Sequence, residues 1–277
     1  MIEILLSTYN GEKYLDEQIR SIINQTYTNW ILTIRDDGST DKTTEIITKF
    51  TKEYPDKIKL LYAGVTKNIG VIHSFETLLA HSSADYVMFS DQDDIWLSEK
   101  VEKTLKKMRE IESINPNTPI VVCCDLYVVN QGLKIVSESY WKYVKLRPEL
   151  LLKNKKYFVT TNFVTGCTML INKKAKEISL PIEKNAIMHD AWITLKTYSS
   201  KGIIFPIREK LIYYRQHTQN SIGAVEVEDS WSYFGRKLKN IKHVLTNNYR
   251  NFRMSKTITN ISLPVFVFYR ILYLLKR

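Results

Sequence analysis

YVMFSDQDDIW, residues Tyr86–Trp96, joins an apolar run to three carboxylates within four positions, Asp91, Asp93 and Asp94. Carboxylates that close repel one another, so their crowding implies a cation that draws them together. Asp85–Ser90 reads as a buried strand, which places the acidic group at a strand's carboxyl end. Toward the N-terminus the same layout recurs. Ile2–Leu6 is an apolar run followed by Ser7-Thr8-Tyr9-Asn10-Gly11. Trp30–Ile34 runs into Arg35-Asp36-Asp37-Gly38-Ser39-Thr40, and Ile58–Tyr62 leads to Lys67-Asn68-Ile69-Gly70. Between these runs Leu15, Ile19, Ile22 and Ile23, and later Val71–Ala80, follow helical spacing, and Ser39 or Thr40 is positioned to cap a helix ending near Phe50. Strands alternating with helices predict an α/β fold with a mostly parallel central sheet. Ligands of such sheets bind beyond the strands' carboxyl ends, where all four polar clusters fall.

Glu99–Ile111 is a charged amphipathic helix, and Ile120–Leu126 is a strand that follows the breaks at Pro116 and Pro119. Residues 127–156 are aromatic and basic without a clear period and read as a variable insertion. A second block predicts a strand over Phe163–Ile171, a helix from near Asp190, and strands near Ile203 and at Leu211–Tyr214. With 277 residues and 44% hydrophobic content, the chain has enough material for one large domain or a domain with an appendage. Its three cysteines, Cys123, Cys124 and Cys167, supply neither a disulfide framework nor a zinc ligand set and read as reduced thiols. The opening MIEILLSTYN lacks the basic start and long apolar region of a signal peptide.

Asp91 and Asp93 form a D-x-D pair, and in an extended stretch residues two apart face the same side. Hard oxygen donors select Mg²⁺ or Mn²⁺, and an ion held by one or two carboxylates completes its coordination with water and phosphate oxygens. That pattern points to a nucleoside diphosphate substrate. The plain alternative is a solvated turn in which Asp94 or Ser98 caps the next helix. Neither G-x-x-x-x-G-K-[ST] nor G-x-G-x-x-G occurs, which disfavours P-loop and dinucleotide enzymes. The cluster is also a poor EF-hand loop, since Ile95-Trp96 occupies its middle.

STYNGEKYLDEQIRSIINQTY, IRDDGSTDKT and FSDQDDIW, followed by HDAWI and YRQHTQNSIG, resemble in order the motifs of inverting family 2 glycosyltransferases with the GT-A fold, and in particular bacterial rhamnosyltransferases. The resemblance covers roughly residues 1 to 223. It does not cover the 127–156 insertion or the tail; with it the chain divides into a nucleotide-sugar-binding half over 1–126, an acceptor-binding and catalytic half of the same domain over 127–229, and a basic amphipathic membrane-associating tail over 230–277. It implies that Thr8, Tyr9 and Asn10 line the nucleotide pocket with Glu12 nearby, and that Asp37 accepts from the base's imide N–H with Gly38 and Ser39 shaping the loop. Asn68, Gly70 and Ser74 then border the ribose and diphosphate. Asp93 becomes the principal metal ligand, Asp91 touches ribose or metal-bound water, and Arg215 and His217 reach the diphosphate or the metal. Asp190 is the expected catalytic base, with His189 and Trp192 as acceptor contacts. Each has a plainer structural alternative: an N-cap for Asp190, a first-turn helix carboxylate for Glu12, core packing for Trp192, a structural ion pair for Arg215 and a surface position for His217.

Ten of the 40 Lys and Arg but none of the 29 Asp and Glu follow residue 229, so the basicity belongs to the tail. Lys237, Lys242, Arg250, Arg253 and Lys256, with Tyr233, Phe234, Leu238, Ile241, Val244 and Leu245 as an apolar side, predict attachment to an anionic membrane surface. Nucleic-acid binding is disfavoured because no binding motif accompanies the charge. Ile261–Leu275 is apolar but interrupted by Pro264 and Arg270, too short and broken for a span. The expected activity is therefore metal-dependent transfer of a sugar, with dTDP-L-rhamnose as the leading donor, onto a cell-surface polysaccharide or lipid-linked glycan at the cytoplasmic face of the plasma membrane. The alternatives are a UDP-hexose or UDP-N-acetylhexosamine donor, a nucleotidyltransferase, and a non-catalytic membrane-bound scaffold.

Overall fold

A computed structural model describes residues 1–62, 64, 67–217 and 241–276. Four strands alternate with helices at the N-terminal end: β1 (Ile2–Thr8), α1 (Leu15–Ile23), β2 (Trp30–Asp36), α2 (Thr43–Glu53), β3 (Ile58–Leu60), α3 (Val71–His81) and β4 (Tyr86–Ser90). All four run parallel, in the order β3-β2-β1-β4, with Ile2 beside Trp30 on one side and Tyr86 on the other. Their side chains are buried on both faces, as parallel strands under crossover helices must be. Every one of these strands therefore ends on the same edge of the sheet, with its polar cluster beyond it.

The chain continues through β5 (Ile95–Trp96), α4 (Lys100–Ile114), β6 (Ile120–Asn130), β7 (Ile135–Ser137), α5 (Tyr140–Tyr143), α6 (Pro148–Lys153) and α7 (Lys155–Thr160). Then follow β8 (Met169–Asn172), α8 (Lys173–Ser179), α9 (His189–Ser199) and β9 (Ile203–Gln216), and after the gap α10 (Ile241–Thr259) and α11 (Leu263–Lys276). Strand β8 lies antiparallel between β4 and β6, and β9 continues the sheet parallel to β6. Two apolar layers sandwich the sheet, one around Ile19, Phe50, Met88 and Leu105, the other around Phe75, Phe89, Phe163 and Trp192. The C-terminal helices pack on the second layer through Met254 and Tyr273.

Three elements differ from the sequence reading. Residues 163–171 do not form one strand: a 3-10 turn occupies Gly166–Thr168, and only Met169–Asn172 pairs. Here backbone groups bond to side chains instead of a ladder, Val164 N to Asn162 and Gly166 N to Asp190. The two strands expected near Ile203 and Leu211 are one, because register shifts around Asp125 let β6 and β9 stay paired. Helix α2 starts at Thr43, with Asp41 accepting from Thr43 N, while the Ser39 hydroxyl turns back to Asp36.

Candidate active site

The loop after β1 is held down by its neighbours. Gln92 Oε1 accepts from the Thr8 hydroxyl at 2.6 Å and from Tyr9 N at 2.9 Å, and Gln92 Nε2 donates to Tyr9 O at 3.1 Å. Gly11 is required beneath this clamp, since a Cβ there would meet Gln92 Oε1 at 2.5 Å. After β2, Asp36 accepts from Gly38 N and Ser39 N and closes the turn. Asp37 accepts from Arg35 at 2.6 Å, from Ile69 N at 2.9 Å and from Gly70 N at 2.8 Å, which ties the loop before α3 to the end of β2. Three charge-assisted donors around one buried carboxylate make a rigid corner.

Beyond these strand ends lies a cavity of about 710 Å³. Its wall from the first half of the chain includes Ser7, Thr8, Tyr9, Asp37, Asn68, Gly70, Asp91, Gln92 and Asp93. Its opposite wall is built by Tyr140, residues 160–166, Met188, His189 and Asp190, together with Asn251 of α10 and Arg270 of α11. Asp91, Asp93 and Asp190 thus share one cavity.

The electrostatics of this cavity set the acidic groups apart from ordinary surface carboxylates. Burial, together with the charges of Asp93 and Asp190, pushes Asp91 up to about 7. Asp94, fully buried below, is raised well above the ordinary aspartate value by burial and by the charges of Asp93 and Asp91, and among the described residues its Oδ2 has no hydrogen-bond partner. Burial raises Asp190 to about 6, held back by the N–H groups of Ala191 and Gly166. Lys100 lies buried close by, donates to Cys167 O at 2.8 Å and covers the Trp96 ring; burial lowers it to about 7. Its single positive charge faces both Asp91 and Asp94, which leaves the acidic group short of positive charge.

That shortage is what a divalent cation would relieve. Among the described residues, Asp91, Asp94 and Cys167 form a group whose donor atoms lie within 4.8 Å of one another; Asp93, the expected principal ligand, is not in it, and its Oδ2 bonds His217. Burial keeps the Cys167 thiol protonated, so the donor set is oxygen-rich and fits Mg²⁺ or Mn²⁺ better than a thiophilic metal. The expected D-x-D geometry needs correction. Residues 92–93 form a bend instead of an extended stretch, so Asp91 and Asp93 reach the cavity by the turn of the backbone and not by strand alternation.

Other expected site residues are relocated. His217 Nε2 bonds Asp93 Oδ2 at 2.8 Å and its ring packs on Tyr14 at 4.8 Å, so it orients the expected ligand from outside the cavity wall. Arg215 is buried in β9, donates to Asp93 O and Gln131 O, pairs with Glu17 and covers Tyr14; it braces the acidic loop instead of reaching a diphosphate. Ser74 lies behind the wall, bonded to Ser7 and Arg35. Asn10 Oδ1 accepts from Thr40 N and Glu12 accepts from Lys42 N, so both fasten the loop after β1 to the segment leading into α2; they and Gly38 and Ser39 lie outside the cavity lining.

His189 is wedged against Phe75 at 4.1 Å and Phe89 at 5.1 Å, and burial holds it down at about 3. It is a neutral spacer within the wall, and Gly166 is needed beside it because a Cβ would meet Nε2 at 2.6 Å. Trp192 is 1% exposed and donates to Ser179 O, so it is core and not an acceptor platform. Trp192→Ala is expected to cost about 3–5 kcal/mol in chemical denaturation, with nucleotide affinity per folded molecule unchanged. A stable variant that loses acceptor affinity would restore the stacking role.

Gln92, Arg35 and Lys100 carried no role in the sequence reading. Lys100 was detectable: it lies one turn before Thr104 and two before Met108, on the buried stripe of α4. Asn251 and Arg270 come from helices remote in sequence and gave no local signal.

A parallel sheet whose strand ends surround an acidic cavity, faced by a carboxylate from a second half, is the GT-A arrangement. Residues 3–179 match the family described as glycosyl transferase family 2, and the chain belongs to it. A dTDP-rhamnosyl transferase, RfbG of Shigella flexneri, is 30% identical over 235 residues, 79% of this chain and 74% of RfbG. A glycosyltransferase of Nostoc sp. is 28% identical over 222 residues, and this chain spans 66% of its length. Among solved structures, a mannosyltransferase of Pyrobaculum calidifontis in complex with GDP-Man and Mn²⁺ aligns with TM-score 0.61 at 16% identity, covering 96% of this chain and 66% of that one. S. aureus TarS in complex with UDP-GlcNAc aligns with TM-score 0.56 at 19% identity, over 84% and 63%. These likenesses show the fold, and with it the expected GT-A class.

Proposed function

We propose that the chain transfers a sugar from a nucleoside diphosphate sugar, with dTDP-L-rhamnose the leading donor, onto a hydroxyl of a cell-surface polysaccharide precursor or lipid-linked glycan, inverting the anomeric centre. The observation that carries this reading is the meeting of Asp190 with Asp91 and Asp93 in one cavity at the parallel strands' carboxyl ends. The rhamnose assignment draws support from the likeness to RfbG. UDP-hexose and UDP-N-acetylhexosamine are the alternative donors.

Thr8, Tyr9 and Asp37 would receive the base and ribose, with Asn68 and Gly70 beside them. A divalent cation held by Asp93 and Asp91 would offset the negative charge that grows on the departing diphosphate. Asp190 takes the proton from the acceptor hydroxyl. That oxygen bonds to the anomeric carbon as the carbon–oxygen bond to the diphosphate breaks on the opposite face, and the electron pair leaves with the diphosphate. Arg215 and His217 keep Asp93 in place during the exchange.

Asp190 must be ionised to act, and the groups facing it are Asp91, Tyr140 and the N–H donors of Gly166 and Ala191. A value near 6 in the free protein places the acid limb of kcat/KM there, with the rate rising as pH increases through it. The test of the reading is a donor panel of dTDP-L-rhamnose, UDP-galactose, UDP-glucose and UDP-N-acetylglucosamine, assayed for Mn²⁺-dependent hydrolysis. Turnover confined to dTDP-L-rhamnose is expected. Preference for a UDP-sugar would replace the donor, and hydrolysis of none, together with no nucleotide binding, would remove the function.

A further inference from the structure

Helix α11 is apolar on both sides. Its inner face buries Phe266 and Tyr273, and Tyr269 receives a hydrogen bond from Lys156. Its outer face leaves Leu263, Val267, Phe268, Ile271 and Leu275 exposed among the described residues, with Phe268 at 56%, Ile271 at 52% and Leu275 at 77%. These positions follow helical spacing and form one stripe. A helix apolar all round is normally buried in a core or in lipid, and a stripe of this kind marks an interaction surface.

The charge near α11 points to its occupant. The segment packed on α11 carries exposed Lys142, Lys145, Lys153 and Lys155, with Glu149 paired to Arg208, and it reaches α11 through Arg147, which donates from its backbone N to Tyr273 and from its side chain to Lys276 O. Arg250, Arg253 and Lys256 are exposed on α10, and no acid occurs after residue 229. A second copy would bring the same basic collar against itself, so like charges oppose a homodimer through this face. Basic residues flanking an apolar stripe instead complement anionic lipid, each cation near the surface contributing about 1 kcal/mol.

No single helix among the described residues is long and apolar enough to cross a membrane; Leu245–Thr259 and Leu263–Lys276 reach that length and composition only as a pair bent by 116°, and the exposed cations of α10 favour a surface position. We propose that the outer face of α11, with its basic collar, docks in the interfacial plane of an anionic phospholipid bilayer. This revises the sequence reading. The apolar contact is α11 itself, whereas positions 230–240, which that reading included, lie outside the described residues, and so do the side chains of Ile241, Lys242 and Val244. Arg270 of the same helix and Asn251 of α10 belong to the cavity wall, so docking holds the acceptor side of the cavity at the bilayer. Only that purpose, presenting a lipid-linked acceptor, rests on the proposed function.

The test is co-sedimentation of the full chain with phosphatidylcholine vesicles with and without phosphatidylglycerol. The parent should sediment only with the anionic vesicles. F268D combined with I271D should weaken partitioning by more than about tenfold, since two large apolar side chains no longer enter lipid. R250E with R253E should weaken it to a similar extent and flatten its dependence on salt. Circular dichroism and nucleotide binding should match the parent, which separates loss of docking from loss of fold. Unchanged partitioning of F268D/I271D, or equal binding to neutral vesicles, would overturn the inference. So would a parent that ignores vesicles and is a dimer broken by F268D/I271D, which would assign the face to a second copy. Vesicle binding without nucleotide binding would keep the docking and remove the transferase reading instead.

Discussion

Asp190→Asn should abolish sugar transfer while leaving nucleotide affinity at the parent value. The amide keeps the size of the carboxylate, and its oxygen can still accept from Gly166 N, which Asp190 Oδ2 accepts at 2.9 Å. What it lacks is basicity, and loss of a positioned general base costs about 10²–10⁴-fold in kcat. Stability should move the other way. The folded value of about 6 lies above the ordinary aspartate value, so the native state holds its proton more tightly than the unfolded chain. Ionising Asp190 therefore works against folding as pH rises from about 4 to 6, and the asparagine variant escapes that cost at neutral pH. The checks are single-turnover transfer assays, calorimetry with the nucleotide and denaturation at pH 8. A variant with full turnover would remove Asp190 as the base. One that loses nucleotide binding as well would make it a structural residue.

Asp93→Asn should reduce Mn²⁺-dependent nucleotide affinity by about 100-fold or more, since a charged ligand is lost and not merely its support. The asparagine still fills the site and can accept from His217, which lies 2.8 Å from the carboxylate. Without the cation the same variant should be more stable than the parent, because the charge that raises both Asp91 and Asp94 is gone. A site built to hold a cation is strained when like charges stand alone, so function and stability part company there. Calorimetry with dTDP and UDP, in Mn²⁺ and in EDTA, reads the first effect, and a thermal melt in EDTA reads the second. Equal affinity of parent and variant in Mn²⁺ would exclude a ligand role for Asp93.

The parallel half of the fold was legible because each strand is a short apolar run closed by a polar cluster, and topology then sends those clusters to one edge. Thr8, Tyr9, Asp37, Asn68, Gly70, Asp91, Asp93, His189 and Asp190 are indeed cavity wall. Legibility failed where side chains replace backbone partners. Nothing local in Phe163–Ile171 tells that Asn162 and Asp190 take the backbone N–H groups a strand would have used. Charged residue type also misled. Arg215 and Glu12 suggest ligand contacts by chemistry, yet their partners are Asp93 O and Lys42 N, contacts that only the folded chain creates. His189 carried the opposite lesson: its apolar neighbours Phe75 and Phe89 lie 100 or more positions away in sequence, and they make it a neutral spacer.

The proposed function assigns one role to the acidic residues at the mouth of the sheet, to seat a divalent ion against a nucleoside diphosphate. Anomalous diffraction at the manganese edge, from crystals grown with dTDP and Mn²⁺, reads this most directly. A single strong peak should lie within coordination distance of Asp93 and Asp91, about 2.0–2.3 Å, with diphosphate oxygens completing the sphere and Asp190 on the far side of the space left for the sugar. Nucleotide bound with no manganese at these carboxylates, or manganese bound away from the cavity, would contradict it.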